Sequence, residues 1–287
     1  MFKTILVHLR GTRADNATLT AAYGFARPFT AHLEALHVRP DFGAMMARIT
    51  YAGNQEDPAS VAEIIEAMQE TAVQNAQRAA ETHASFCEKE QILKCEFPPG
   101  PGKLNAAFRE TMGNELEQLI EQSRIHDLLV IKGDKNAGGL PSDDIGRLIV
   151  STGKPILLAA NLGANPMQTV VVAWKSTRET ARAVSAAMPL LKKAETIHVM
   201  NAEEDGQTSN CDGILTQLAW HGLNAQAHRI EPSDRDPAHA ILEACRAASA
   251  NLLVMGGYGH SRVRETILGG FTRSVLEDAS LPVLISH

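Results

Sequence analysis

The chemistry most legible in the chain is anion binding by backbone amides. Near the C-terminus runs Asn251-Leu-Leu-Val-Met-Gly256-Gly257-Tyr258-Gly259, followed after about ten residues by Gly269-Gly270-Phe271-Thr272. An apolar run passes into three glycines within four positions, and a second glycine pair opens an apolar helical pattern (Phe271, Val275, Leu276, Ala279). Glycines let a loop take positive φ or approach another group closely. The N–H groups of such a loop, with those of a free helix N-terminus, attract an anion. An ordinary strand-to-helix connection has the same letters, so this loop alone does not settle the chemistry. Other chemistries lack their residues. There is no GxxxxGK[ST] phosphate loop and no GxSxG nucleophile turn. Cys87, Cys95, Cys211 and Cys245 show neither CxxC nor metal-ligand spacing and read as reduced thiols. No Ser/His/Asp or metal constellation is defensible, so no catalytic residue is expected.

The elements that must position this loop follow from hydrophobic patterning. In the first half, strands are expected at Lys3 to Leu9, Leu33 to Val38, Ile92 to Phe97, Leu128 to Lys132 and Pro155 to Ala159. Helical patterns run from the loop Arg10–Arg13 to about Phe29, over Ala59 to Glu88, over about Asn105 to Arg124 with Gly113 as a weak point, and over Ile145 to Val150. The segment from Asp41 to Pro58 reads as irregular, and Pro98-Pro-Gly-Pro-Gly102 as a stiff loop. Asn161 to Pro166 has the composition of a linker. The pattern then restarts, with strands at Thr169 to Ala173, Thr196 to Met200, Gln226 to Ile230, Leu252 to Met255 and Leu281 to His287. Helices are expected after a capping box Ser176-Thr-Arg-Glu179, near Ile214 to Trp220, and over Pro237 to Ala250.

The restart is a sequence repeat. Ile5-Leu-Val-His-Leu-Arg-Gly-Thr-Arg13 aligns with Val170-Val-Val-Ala-Trp-Lys-Ser-Thr-Arg178, and Asp127-Leu-Leu-Val130 with Asn251-Leu-Leu-Val254. Leu36-His37-Val38 aligns with Ile197-His198-Val199, and Lys154-Pro-Ile-Leu157 with Leu281-Pro-Val-Leu284. The first half carries ~37 extra residues between its second and fourth strands. They fall within 41–102, whose role the letters do not give. Two α/β domains are therefore expected, at 1–160 and 167–287, each a doubly wound five-stranded parallel sheet of order 3-2-1-4-5. A single undivided sheet, or closing glycines packed out of reach of solvent, would end this reading. In such sheets ligands bind beyond the carboxyl ends of the strands where the order reverses. The Gly256–Gly259 loop falls at that place in the second half.

Composition bounds the partners. The chain has 287 residues, a formal net charge of −6 and a sequence pI near 6.0. That gives no electrostatic case for nucleic acid or an anionic membrane. Met1 to Val7 enters a strand pattern directly, without the features of a signal peptide. No apolar run approaches the ~18 residues of a membrane span. A cytoplasmic location is expected.

The spacing Gly256-x-x-Gly259, nine residues, Gly269-Gly270, placed after a strand and before a helix and a closing Pro-Val-Leu strand, resembles the universal stress protein family. The tandem form of that family, with its adenine nucleotide alpha hydrolase-like fold, would cover almost the whole chain. The resemblance implies a site for ATP or a related adenine nucleotide. Its phosphates would meet Gly256, Gly259, Gly269, Gly270 and Thr272, with Ala173, Lys175 and Met200 as further candidates around the nucleotide. It also implies an internal pseudo-dimer whose fifth strands meet, which would cover sheet edges. Pairing of two chains and an unknown protein partner are left open.

The chain departs from the family pattern at two places. Gly270, not Ser or Thr, follows the last patterned glycine, and the next hydroxyl is Thr272. Lys175 and, in the first half, Arg10 stand where the ATP-binding members carry an acid that meets the adenine. A cation cannot accept from the adenine amino group, so a weakened nucleotide site is expected in the second half. In the first half the equivalent loop, Gly133-Asp-Lys-Asn-Ala-Gly-Gly139, loses the spacing, and Asp143 and Asp144 would repel phosphate. No nucleotide is expected there. The function implied is stress-linked binding or regulation without turnover. A slow ATPase and a ligand-free interaction module are the alternatives. His37, His198 and Trp174 read as structural residues, His260 and Arg262 equally as groups able to reach phosphate or as part of a solvated face, and Asp234, Arg235 and Asp236 as loop and cap residues.

Overall fold

Ile5, Leu6 and Val7, and likewise Val170, Val171 and Val172, are wholly inaccessible to solvent. Runs this apolar form strands only where helices cover both faces of a sheet, and that requirement sets the architecture. The computed structural model describes residues 1–51, 58–98, 100, 102–133, 138–160, 166–202, 211–230, 236–257 and 270–287, with the side chains of 48–51 and 58–61 excepted.

The first half runs β1 (Thr4–Leu9), α1 (Asp15–Ala26), a 3-10 turn (Arg27–Phe29), β2 (His32–Arg39), α2 (Phe42–Tyr51) and α3 (Pro58–Lys89). It continues through β3 (Leu93–Lys94), β4 (Asn105–Met112), α4 (Glu115–Ser123), β5 (Leu128–Lys132), α5 (Ser142–Ser151) and β6 (Ile156–Ala159). The second half runs β7 (Thr169–Ala173), α6 (Arg178–Leu191), β8 (Thr196–Ala202), α7 (Asp212–Trp220) and β9 (Ala225–Ile230). It ends with α8 (Pro237–Ala247), β10 (Leu252–Gly256), α9 (Gly270–Asp278) and β11 (Val283–Ser286).

The strands lie in the order β3-β4-β2-β1-β5-β6-β11-β10-β7-β8-β9. Read from β4 to β6 and from β9 to β11, each half has the order 3-2-1-4-5, and the two-residue β3 adds an edge to the first. Every pairing is parallel except β6 with β11, where Leu157 faces Leu284 and Ile156 faces Ile285. The fifth strands therefore meet, as the resemblance implies. The meeting is closer than two separate sheets would allow, because all eleven strands form one hydrogen-bonded sheet. The expectation of two divided sheets is corrected. The boundary survives as the one antiparallel pair, at which the strand order mirrors itself. Both fifth strands are fully covered by this pairing, which removes two apolar edges from solvent.

One core lies on each face of the sheet. On the first, Phe25 of α1, Phe86 of α3, Val184 of α6 and Leu218 of α7 pack over Val7, Val130, Val172 and Val254. On the other, Leu119 of α4, Ile145 of α5, Ile241 of α8 and Val275 of α9 pack over Leu6, Leu129, Val171 and Leu253. Strand alternation sends neighbouring residues to opposite cores.

Three expectations need correction. Asn105–Met112, read as the start of a helix, is the third strand of the first half and pairs along its length with β2, from His32↔Asn105 to Arg39↔Met112. The helix begins only after Gly113, whose φ of +145° breaks the chain direction, at the Asn114 cap that accepts from Glu117 N at 3.0 Å. Part of the segment read as irregular, Phe42–Tyr51, is helical. The cap of α6 is Thr177, one residue beyond the expected Ser176, and its hydroxyl accepts from Thr180 N.

Candidate functional site

The crossing of the second half lies between β7 and β10. Ala173 stands there in register with Met255 on one side and Met200 on the other. Trp174 continues the edge by donating its N–H to Met200 O at 2.7 Å. Ala173 and Lys175 are half-buried, while Met200 is buried. The strand ends bring Ala173 and Met200 together beside Met255, with Lys175 two residues further along the chain. Trp174 packs against the core as expected, although its indole Nε1 is buried without a hydrogen-bond partner.

Gly256 is needed for packing. A Cβ built on it would lie 2.5 Å from Thr180 N and 2.7 Å from Glu179 C, both backbone atoms in the first turn of α6. The close approach that glycine permits at this position is therefore to a helix. The same contact occupies the start of α6, where the Thr177 hydroxyl already serves Thr180 N at 3.3 Å. Gly257 is buried at the seam between the halves. Its added Cβ would stand 2.8 Å from Ile285 Cγ2 and 3.0 Å from Ile149 Cγ2 of the first half. Gly257 also donates to Ser286 O at 2.9 Å, and His287 Nδ1 donates to Gly257 O at 3.0 Å. The strand end is thus fixed on both sides.

The start of α9 differs. Gly270 is exposed, with nothing among the described residues within 4 Å of an added Cβ. Thr272, two residues on, is buried. The helix is held by Ser274, whose hydroxyl donates to Asp236 Oδ2 at 2.6 Å, and by His239 Nε2, 3.3 Å from Asp278 Oδ2. Asp236 also caps α8, accepting from Ala238 N at 3.2 Å, and these bonds, that from Ser274 foremost, lower its pKa. α9 is thus a braced element, and among the described residues no atom crowds the Cβ position of Gly270 at its start. Gly259, Gly269, His260, Arg262, Asp234 and Arg235 lie outside the described residues.

The equivalent crossing of the first half, between β1 and β5, holds a network that the sequence reading missed. Arg10 Nε donates to Glu115 Oε1 at 2.9 Å and Nη2 to Glu115 Oε2 at 3.2 Å, while Nη1 donates to Gly139 O at 2.9 Å and Gly138 O at 3.4 Å. His8 Nε2 lies 3.0 Å from the same Glu115 Oε1. Burial alone would raise the Glu115 carboxyl, but the His8 hydrogen bond and the charges of His8 and Arg10 outweigh it and hold the pKa at about 2. An ionised carboxylate only accepts, so His8 Nε2 carries the proton in this bond. Arg10 thus ties the loop after β5 to the first turn of α4 across the place where the crossing would open. Asp143 and Asp144 stand in the first turn of α5 nearby. Gly113 and the Asn114 cap were the only available signals that Glu115 begins a helix, and the helical reading across 105–124 hid them.

His37 and His198 make structural bonds, His37 Nδ1 with Leu9 O at 2.9 Å and His198 Nδ1 with His228 Nε2 at 2.8 Å. The four cysteines are free thiols, and burial pushes Cys245 up to about 12. Among the described residues no group of three or more His, Cys, Asp or Glu could hold a metal ion, and no helix is long and apolar enough to cross a membrane.

Residues 166–287 match the family model described as Universal stress protein family. No curated protein sequence matches the chain. Among solved structures, a universal stress protein from Archaeoglobus fulgidus DSM 4304 is similar over 99% of this chain and 97% of its own, at a TM-score of 0.65 and 17% identity. A functionally unknown protein from Pseudomonas aeruginosa PAO1 is similar over 99% of this chain and 92% of its own, at 0.59 and 17%. At that identity the likeness establishes the fold, an α/β sheet of this arrangement along the whole chain.

Proposed function

We propose that the chain, whose residues 166–287 match the universal stress protein family model, is a tandem member of that family, with domains at 1–160 and 167–287. In this reading it is a binding and regulatory protein of the stress response rather than a catalyst. Its one nucleotide site is in the second domain and takes ATP or a related adenine nucleotide weakly. The observation that carries the reading is the family match over residues 166–287, which contain both the crossing between β7 and β10 and the braced helix α9. Phosphate oxygens would meet the first N–H groups of α9, at Gly270, and the amides of the loop before it. Helix N-termini favour anions through both the unpaired N–H groups and the helix dipole. Weak affinity is expected because Lys175 stands where an acceptor for the adenine amino group would be, and because Thr272 is buried. In the first domain, Arg10 and Glu115 close the matching crossing, and no nucleotide binds.

The test is ATP calorimetry on the wild-type chain and on Gly270→Asp. Among the described residues nothing lies within 4 Å of a Cβ at this position, so the variant should fold normally. Its carboxylate would repel phosphate at the helix start, and we expect at least a tenfold loss of affinity with an unchanged unfolding midpoint. Equal heats for the two proteins would remove α9 from the site. Phosphate release that disappears in the same variant would favour a slow ATPase. No binding by either protein would leave an interaction module.

A further inference from the structure

The insertion in the first half builds a cavity of about 760 Å³ beyond the carboxyl ends of β1 and β2, against α2 and α3. Its volume falls in the range of small-molecule sites, which are mostly apolar with a few placed polar groups. We infer that this cavity binds an uncharged, largely apolar small molecule carrying one hydrogen-bond donor. Val38, Phe42, Met45, Ile64, Ala67 and Met68 supply apolar wall. Ile64 and Met68 are large apolar side chains left 58% and 43% exposed on a helix, and a bound apolar body would cover them. Methionine suits such a wall because its unbranched thioether adapts to different shapes.

The polar groups select the charge of the ligand. Arg10 is the one cation among the described lining residues, but its Nε, Nη1 and Nη2 are each committed to Glu115 or to the carbonyls of Gly138 and Gly139. Glu115 and Asp41 also line the cavity, so among the described residues its charged side chains sum to one negative charge. An anionic ligand would bring like charge into a partly desolvated space. This disfavours nucleotides and carboxylates alike. His37 is buried and lines the same cavity, and its Nδ1–H is spent on Leu9 O at 2.9 Å. The tautomer with its proton on Nδ1 leaves Nε2 as an acceptor, which suits a ligand hydroxyl or amine N–H.

The test uses a matched pair of fluorescent probes on the full chain. N-phenyl-1-naphthylamine is neutral and apolar with one N–H donor. 1-Anilinonaphthalene-8-sulfonate has the same skeleton with an added anion. We expect saturable binding of the neutral probe and at least tenfold weaker binding of the sulfonate. Ala67→Trp fills the cavity from an exposed helix position and should weaken the neutral probe tenfold or more, with the unfolding midpoint retained. Thr71→Trp, one turn along, is an independent filler with the same expectation. An N-methylated probe, which lacks the donor, should bind several-fold more weakly. Absence of saturable binding, indifference to both tryptophan variants, or equal affinity for the sulfonate would overturn the site. Equal affinity for the N-methylated probe would overturn the role of His37.

Discussion

Gly11→Ala should destabilise the protein by about 3 kcal/mol, a large loss for one methyl group. Gly11 follows β1 with a φ of +72°, a region L-residues enter at a cost. A Cβ there would lie 2.1 Å from Asn75 O, 2.5 Å from Asn75 Cα and 2.6 Å from Asn75 C. All three are backbone atoms of α3, so no side-chain rotation relieves the overlap and the helix must move as a body. Phe86 and Ala79 of the same helix belong to the core over β1 and β2, so the movement also disturbs packing. Gly11 N donates to Asp15 Oδ2 at 2.8 Å, which fixes the loop against adjustment from its own side. Urea unfolding measures the effect, as a lower midpoint at unchanged slope. A loss below about 1 kcal/mol would mean that α3 is not seated on this loop.

Glu115→Gln should produce the second large effect, and one that depends on pH. The Glu115 carboxyl is held at about 2 in the folded chain. This is below its unfolded value near 4.5, so the native state favours the ionised form. The stabilisation is then complete above the unfolded value and is lost as pH falls through 4.5 toward 2. With 31% of the side chain exposed, screening reduces the full linkage value, and about 2 kcal/mol is expected. The variant should lose that amount at pH 7 and show a shallower decline in stability between pH 4.5 and 2. Its Arg10 guanidinium would keep the two glycine carbonyls but no counter-charge. Parallel stability profiles for the two proteins would show that the Arg10–Glu115 pair does not hold the first crossing together.

Much of this architecture is legible in the letters because both halves repeat their buried strands. Ile5 to Val7 and Val170 to Val172 do not even need the repeat, since their continuous apolar character admits only a covered strand. Asn105–Met112 was hidden because Ala106, Ala107, Arg109, Glu110 and Met112 favour helix as isolated residues. The eight-residue pairing with β2 overrides that preference. The junction of the sheets was anticipated in which strands meet but not in its continuity, since pairing register is absent from either half alone.

The candidate site was legible to a different degree. Its place follows from strand order, yet the reason for Gly256 does not. A glycine that serves a phosphate and one that admits the first turn of α6 are the same letter. The Arg10–Glu115 network joins residues about a hundred positions apart, and no local spacing reports such a pair. The cavity under α2 and α3 was equally hidden, because it depends on how far an inserted helix stands from the strand ends.

A duplicated fold with one working nucleotide site is tested most directly by the stoichiometry of ATP binding. Equilibrium dialysis of the intact chain should give one nucleotide bound per chain at saturation, with that nucleotide lost in Gly270→Asp. Two nucleotides per chain, none, or one that survives the Gly270→Asp change would contradict a single site at the start of α9.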